Sequence, residues 1–315
     1  MSGADAGTTD LDRTDADRTD ADRTDVGVQD CVECVPPADA FALVGNETRL
    51  SILEALWNAE GGPVRFSELH AAVGLRDSAQ FNYHLGKLTD QYVRKIDDGY
   101  ALRTAGAKVV RAILAGSFTE HPQLDAFPVG DDCTRCGEGL VARYADGMLA
   151  IDCPDCGRKH GEYSFPPGGL HDRTRAEILS AFDQRVRHLH CLAKDGVCPE
   201  CSGRMHTSIS PEGECCLGVG LRADHVCEQC RHELCSAIGL SLLDQSAVVA
   251  FHRDHGIDLG TTPYWRLDWC VSDDATAVRS TDPWEIEVTI ELDGETLLAT
   301  LDGDLTLVDA ERTDA

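Results

Sequence analysis

Asp77-Ser78-Ala79-Gln80-Phe81-Asn82-Tyr83-His84-Leu85-Gly86-Lys87-Leu88 is the stretch whose reading decides the fold. Asp77 can cap a helix, and Gln80 stands three residues on, in the capping-box position. Phe81, Leu85 and Leu88 fall at i, i+4 and i+7 and predict a core-facing stripe. The opposite side carries Ala79, Asn82, Tyr83, Gly86 and Lys87. Upstream, residues 67–73 predict a short helix stopped by Gly74. Before that, Leu50, Leu53, Leu56 and Trp57 recur at helical spacing behind Asn46 and Thr48, both capping types. Downstream, residues 92–103 predict a hairpin turning at Asp98-Gly99. Thr104 then opens a last helix bearing Val109, Val110, Ile113 and Leu114.

This order is the winged helix-turn-helix layout. Its charge sets it apart from the rest of the chain. Residues 41–116 hold eight acids against nine bases, a surplus of one base, whereas the 315-residue chain has a net charge of −27. A module that approaches phosphate keeps its bases where its surroundings have shed them. The DNA-contact set is Arg76, Ser78, Gln80, Asn82, Tyr83, Lys87, Arg94 and Lys95. Asn82 and Tyr83 can bond base edges, and Lys87, Arg94 and Lys95 can pair with phosphates.

Three blocks carry a family resemblance: Gly45-Asn46-Glu47-Thr48-Arg49-Leu50-Ser51-Ile52-Leu53, Phe81-Asn82-Tyr83-His84-Leu85-Gly86-Lys87-Leu88, and Asp98-Gly99-Tyr100. In that order they resemble the arsenical-resistance-repressor (ArsR-like) family of transcriptional regulators, over about a quarter of the chain. The resemblance implies a sequence-specific regulator of double-stranded DNA, acting as a homodimer through its first helix and the 104–115 helix. Metal-sensing members carry cysteines in the helix before the recognition helix. Here that helix reads Phe66-Ser67-Glu68-Leu69-His70-Ala71-Ala72-Val73, without cysteine, so arsenic or cadmium sensing is not implied. Winged helix plus zinc ribbon is also similar to the archaeal transcription factor E alpha subunit, a basal factor acting on RNA polymerase by contact. The ribbon pair and long β-rich tail depart from it.

Fifteen cysteines in a reducing compartment argue for metal rather than disulfides. Cys133-x-x-Cys136 and Cys153-x-x-Cys156 flank a hairpin with an Asp146-Gly147 turn, and Gly137 and Gly157 supply permissive backbone after each pair. Cys198-x-x-Cys201 and Cys227-x-x-Cys230 form a second quartet, whose insert alternates through Met205, Thr207 and Ile209 and turns near Pro211-Glu212-Gly213. Each quartet predicts one closed, structural zinc, two per chain. Each is followed by a strand-like piece and a helix, so residues 131–256 read as a duplicated ribbon and helix region. The first helix runs from Thr174 with Glu177 completing a capping box; the second starts near Asp244 and ends at Gly256. Cys191 and Cys235 lie on apolar-patterned stretches and read as buried hydrophobes.

The fold class is therefore α+β: a winged helix-turn-helix over residues 39–116, two zinc-ribbon-like units with helices, and an antiparallel meander over residues 262–309. In the meander Trp284, Ile286, Val288, Ile290 and Leu292 alternate with acids and Thr289, Asp293-Gly294 turns the chain, and the final residues are expected to fray. Residues 1–38, with Arg-Thr-Asp-Ala-Asp repeats, are expected to be a disordered acidic tail. Cys31-x-x-Cys34 offers half a metal site there. The C-terminal region would serve a transcription-machinery partner or a small-molecule effector. There is no membrane span, no Walker loop, no Gly-x-Ser-x-Gly and no His-Glu-x-x-His, so the chain reads as a cytoplasmic non-enzyme. His188, His190 and His206 read as surface or satisfied histidines. Few lysines and many carboxylates suit concentrated salt and point to a haloarchaeal source.

Overall fold

A computed structural model describes residues 35–211 and 219–314. Cys31, Cys34, Cys215, Cys216, the stretch read as a disordered tail up to residue 34 and the turn expected at 211–213 beyond Pro211 lie outside the described residues. The chain is mixed α and β and divides into two compact units, the first ending at Arg103 and the second beginning at Thr104. The 104–115 helix is thus counted with the second unit.

The first unit runs α1 (Pro37–Val44), α2 (Glu47–Asn58), β1 (Val64–Arg65), α3 (Phe66–Val73), α4 (Ser78–Leu88), β2 (Val93–Ile96) and β3 (Gly99–Leu102). Asn46 caps α2 by accepting from the Arg49 N–H, and Asp77 caps α4 by accepting from Ala79 and Gln80. Gly74 ends α3 in the left-handed conformation, φ 70°. Ile52, Leu53, Leu69, Phe81, Leu85 and Leu88 form the buried interior. The Tyr92 hydroxyl donates to the Ala40 carbonyl at 2.8 Å and ties α1 to the start of the hairpin.

The hairpin differs from the expectation. Ile96 pairs with Gly99, so the loop is Asp97-Asp98, with Asp97 at φ 49°. Gly99 answers a different demand. It pairs with Arg65 in the sheet order β1-β3-β2, and a Cβ there would lie 2.7 Å from the Pro63 Cβ. The glycine allows a strand to approach closely and makes no turn.

The second unit opens with α5 (Thr104–Leu114), then β4 (Leu124–Asp132), β5 (Gly139–Ala145), β6 (Met148–Asp152) and β7 (Lys159–Ser164) in the antiparallel order β4-β5-β6-β7. Asp146 and Gly147 take positive φ and join Ala145 to Met148, as the sequence predicts. α6 (Arg175–Lys194) follows, with the Thr174–Glu177 capping box in place at 2.7 and 3.3 Å. Next come β8 (Met205–Ser210), β9 (Arg222–Cys227) and β10 (Glu233–Ala237) in the order β10-β9-β8, and α7 (Ser246–Asp254). A 3-10 turn at Tyr264–Arg266 and α8 (Asp268–Val271) lead into β11 (Thr276–Thr281), β12 (Trp284–Leu292), β13 (Glu295–Leu301) and β14 (Leu307–Asp314), paired in sequence order. No helix among the described residues is long and apolar enough to cross a membrane.

Three features depart from the sequence reading. β4 was not expected; it is an edge strand, the position in a sheet where a proline such as Pro128 is tolerated. Residues 264–271 are helical rather than β. The final residues do not fray: β14 pairs with β13 from Leu307 to Asp314, held by backbone hydrogen bonds that its charged side chains do not announce.

One continuous core runs from Phe127 to Leu305 and draws on all three sheets of the unit. α6 is its axle, packing on β4, β8 and β10 and burying Ile178, Phe182, Val186 and Leu189. Burial of each such side chain stabilises by about 1.5–3 kcal/mol. A buried polar knot fixes the helix to the loop before α8. Asp183 accepts from Arg187 Nε and from the Tyr264 N–H, each at 2.8 Å, and Arg187 donates onward to the Thr262 carbonyl.

Replacing Asp183 by Ala strands the Arg187 guanidinium and the Tyr264 N–H. Loss of one member of a buried pair costs about 3–5 kcal/mol. Denaturant unfolding of Asp183→Ala is expected to show a loss of that size; a loss under about 1 kcal/mol would mean that the knot contributes little.

Candidate metal centres and nucleic-acid interface

Among the described residues, four Cys-x-x-Cys knuckles share one backbone geometry. In each, the first cysteine's N–H bonds the carbonyl five residues on: Cys133 to Glu138, Cys153 to Arg158, Cys198 to Gly203 and Cys227 to His232, at 2.7–2.9 Å. In each, the residue after the second cysteine returns its N–H to the first cysteine's carbonyl, at 2.9–3.1 Å. That residue always has positive φ: Gly137 79°, Gly157 71°, Ser202 62° and Arg231 61°. The two glycines were legible in the sequence. Ser202 and Arg231, which accept the same strained conformation without being glycine, were not.

The knuckles bring the sulfurs together in two groups. Cys133, Cys136, Cys153 and Cys156 form one, and Cys198, Cys201, Cys227 and Cys230 the other, each with all four Sγ atoms within 4.8 Å. Cys133–Cys156 and Cys136–Cys153 are 3.8 and 3.4 Å apart; Cys198–Cys230 and Cys201–Cys227 are both 3.6 Å. A disulfide needs about 2.05 Å. Four sulfurs bound to one ion at about 2.3 Å lie about 3.8 Å apart in a tetrahedron, close to what is seen. Gly203 leaves the space: a Cβ there would stand 3.1 and 3.3 Å from the sulfurs of Cys201 and Cys227. Each group can therefore hold one metal ion, and the all-thiol donor set is consistent with zinc.

Main-chain N–H groups and neighbouring sulfurs act on the thiols in opposite directions. The main-chain N–H of Arg158 pulls Cys156 down to about 7, and that of Cys230 does the same for Cys227. The N–H groups of Glu138 and His232 act in the same direction on Cys136 and Cys230, yet neighbouring sulfurs push both up to about 12. Four thiolates do not share such a space without positive charge between them. Sequence reading missed His160, whose Nε2 lies 3.4 Å from Cys133 Sγ. Burial, and then the Arg158 charge, lower His160 to about 4, so it stays neutral and can donate one N–H to that sulfur, fixing its orientation.

The predicted DNA-contact residues all lie exposed on the first unit. Arg76 precedes α4; Ser78, Gln80, Asn82, Tyr83 and Lys87 lie on it; Arg94 and Lys95 lie on β2, an edge strand. Tyr83 is 58% exposed, with Lys87 Nζ 5.6 Å from its ring centroid. The buried stripe is Phe81, His84, Leu85 and Leu88, so His84 joins the three expected apolar residues.

Among the remaining histidines and cysteines, two readings change. His188 and His206 are exposed, but His190 is fully buried with neither ring nitrogen bonded. Burial, then the neighbouring His225, lower it to about 3. Cys191 is half-buried and donates to Asp244 at 3.1 Å rather than packing as a hydrophobe. Asp195 and Asp244 could join it around a metal, but Lys194 already lies 3.4 and 3.5 Å from these carboxylates.

Left-handed backbone costs a non-glycine residue about 1–2 kcal/mol, less what glycine loses in chain entropy. Arg231→Gly and Ser202→Gly are therefore expected to stabilise the metal-loaded protein by about 0.5–1 kcal/mol each, and Gly157→Ala to destabilise it. Thermal unfolding checks the signs; destabilisation by Arg231→Gly would show that its side chain matters more than its φ.

Residues 37–113 match the model of a family described as a domain of unknown function (DUF7347). No curated protein matches the chain. Residues 130–307, which include both sulfur groups and most of the C-terminal sheet, match the model of a second family, described as a domain of unknown function (DUF7351). That match covers more than half of the 315 residues, and the chain belongs to the DUF7351 family.

Proposed function

We propose that the first unit is an ArsR-like winged helix-turn-helix that reads DNA sequence through α4, and that the two sulfur groups hold structural zinc. One observation carries the DNA reading. α4 has no carboxylate over its eleven residues, in a chain with 55 acids, and its outward face offers Asn82, Tyr83 and Lys87. Asn82 matches the paired donor and acceptor of adenine in the major groove, and Tyr83 adds a hydroxyl and a flat apolar surface. Lys87 and, from the hairpin, Arg94 and Lys95 supply phosphate contacts that set register without reading sequence. A homodimer would present two such helices to half-sites about 34 Å apart.

Zinc here closes each ribbon as a four-armed cross-link and leaves no position open for a substrate. Its work is to replace apolar core that small three- and four-stranded sheets lack. The helix before α4 has no cysteine, so the family's usual metal-sensing motif is absent. In molar salt the screening length is about 3 Å and counterion release gains little. Affinity then depends on base and shape contacts, which suits a reading face with one lysine.

Genomic footprinting should return a preferred sequence. On that sequence Asn82→Ala is expected to cost about 1–3 kcal/mol and relax base preference, whereas Lys87→Ala and Arg94→Ala weaken specific and random duplexes alike. An Asn82→Ala change that lowers both affinities equally would mean that α4 does not read bases, and absence of any preferred site would overturn the proposal.

A further inference from the structure

In the second unit, the end of α5 and one face of α6 border an open groove of about 650 Å³. Its floor is apolar, formed by Leu114, Phe165, Leu189 and Leu192. Leu114 is 57% and Leu192 41% exposed, costly in water unless something covers them. On α6 the lining runs from Ala181 to Leu192, three turns or about 16 Å of helix. The small Ala181 lets a partner come close to the helix backbone.

The rim is basic. Arg111, Arg173, Arg185 and His188 line the groove and no carboxylate does, although acids outnumber bases 55 to 28 in the chain. Arg173 is held by the Gly169 carbonyl at 2.8 Å, and Arg185 by the Ser164 carbonyl and hydroxyl at 2.6 and 3.0 Å. These acceptors are neutral. They aim the guanidiniums without an ion pair, although the Arg173 charge also acts on nearby Glu177, whereas Arg143, Arg187, Arg222, Arg266, Arg279 and Arg312 of the same unit are paired with carboxylates.

We infer that this groove docks an acidic amphipathic helix of a partner protein. A helix laid along three turns of α6 would bury aliphatic side chains at i, i+4 and i+7 against Leu114, Leu189 and Leu192, with its flanking carboxylates on the arginines. The same charge pattern disfavours a second copy of this chain. A two-fold contact sets a patch against itself, which here opposes arginine to arginine. The chain's own residues 1–34 have ten carboxylates against three arginines but only Met1, Leu11, Val26, Val28 and Val32 as large apolar residues, too scattered to cover the floor. The inference concerns a different surface from α4 and stands independently of what α4 reads.

The test uses the full, metal-loaded chain and a synthetic helical peptide with leucines at i, i+4 and i+7 flanked by glutamates, followed by fluorescence anisotropy. Its twin with lysines for glutamates is expected to bind at least about tenfold more weakly, as are Leu192→Asp and Arg173→Glu proteins toward the acidic peptide. Unchanged thermal unfolding of both variants keeps a loss attributable to the groove. Equal binding of the twins, or full binding by Leu192→Asp, would overturn the proposal. So would tighter binding by a peptide of residues 1–34, or self-association that Leu192→Asp abolishes; the groove would then belong to the chain's own segment or to a second copy.

Discussion

Four sulfurs within 4.8 Å of one another are the constraint on which the second unit depends. The knuckles set them there through paired backbone bonds, and each quartet links the ends of a hairpin too small to be stable alone. Without a cation, main-chain N–H groups hold Cys156 and Cys227 down while neighbouring sulfurs push Cys136 and Cys230 up. With one, the same crowding becomes a tetrahedral cross-link. Cys133, Cys153, Cys198 and Cys227 share one core with α6 and the C-terminal sheet.

The acidic surface imposes a second constraint. Where carboxylates dominate, a neutral or basic patch is informative because the surrounding composition works against it. Two such places stand out, one in each unit: the carboxylate-free face of α4 and the arginine-edged groove beside α6. Both combine modest positive charge with exposed apolar or aromatic groups. Such a combination would bind through contact and burial, and so would tolerate strong screening better than a dense basic patch.

Local signals in the sequence proved legible and long-range ones did not. The caps at Asn46, Asp77 and Thr174 and the loops at Asp146-Gly147 and Asp293-Gly294 depend on a few neighbouring residues, and the structure has each of them. Both quartets followed from spacing alone. The Asp98-Gly99 turn failed because Gly99 answers to Pro63, over thirty residues away in the chain. The helical 264–271 stretch was hidden for a similar reason: the Trp265 indole donates to Asp131, and Tyr264 to Asp183. β4 and β14 are edge strands whose pairing is backbone chemistry, with little side-chain alternation to reveal it. Ser202 and Arg231 show that positive φ can be imposed by a Cys-x-x-Cys knuckle on residues that carry no sign of it.

The central claim is that each quartet is a closed all-sulfur metal centre. Metal analysis joined to X-ray absorption at the zinc edge, on protein purified under reducing conditions, addresses it most directly. The account predicts about two zinc ions per chain, each with four sulfurs at about 2.3 Å and no nitrogen or oxygen donor. A single equivalent, or a light-atom donor replacing a sulfur, would contradict it.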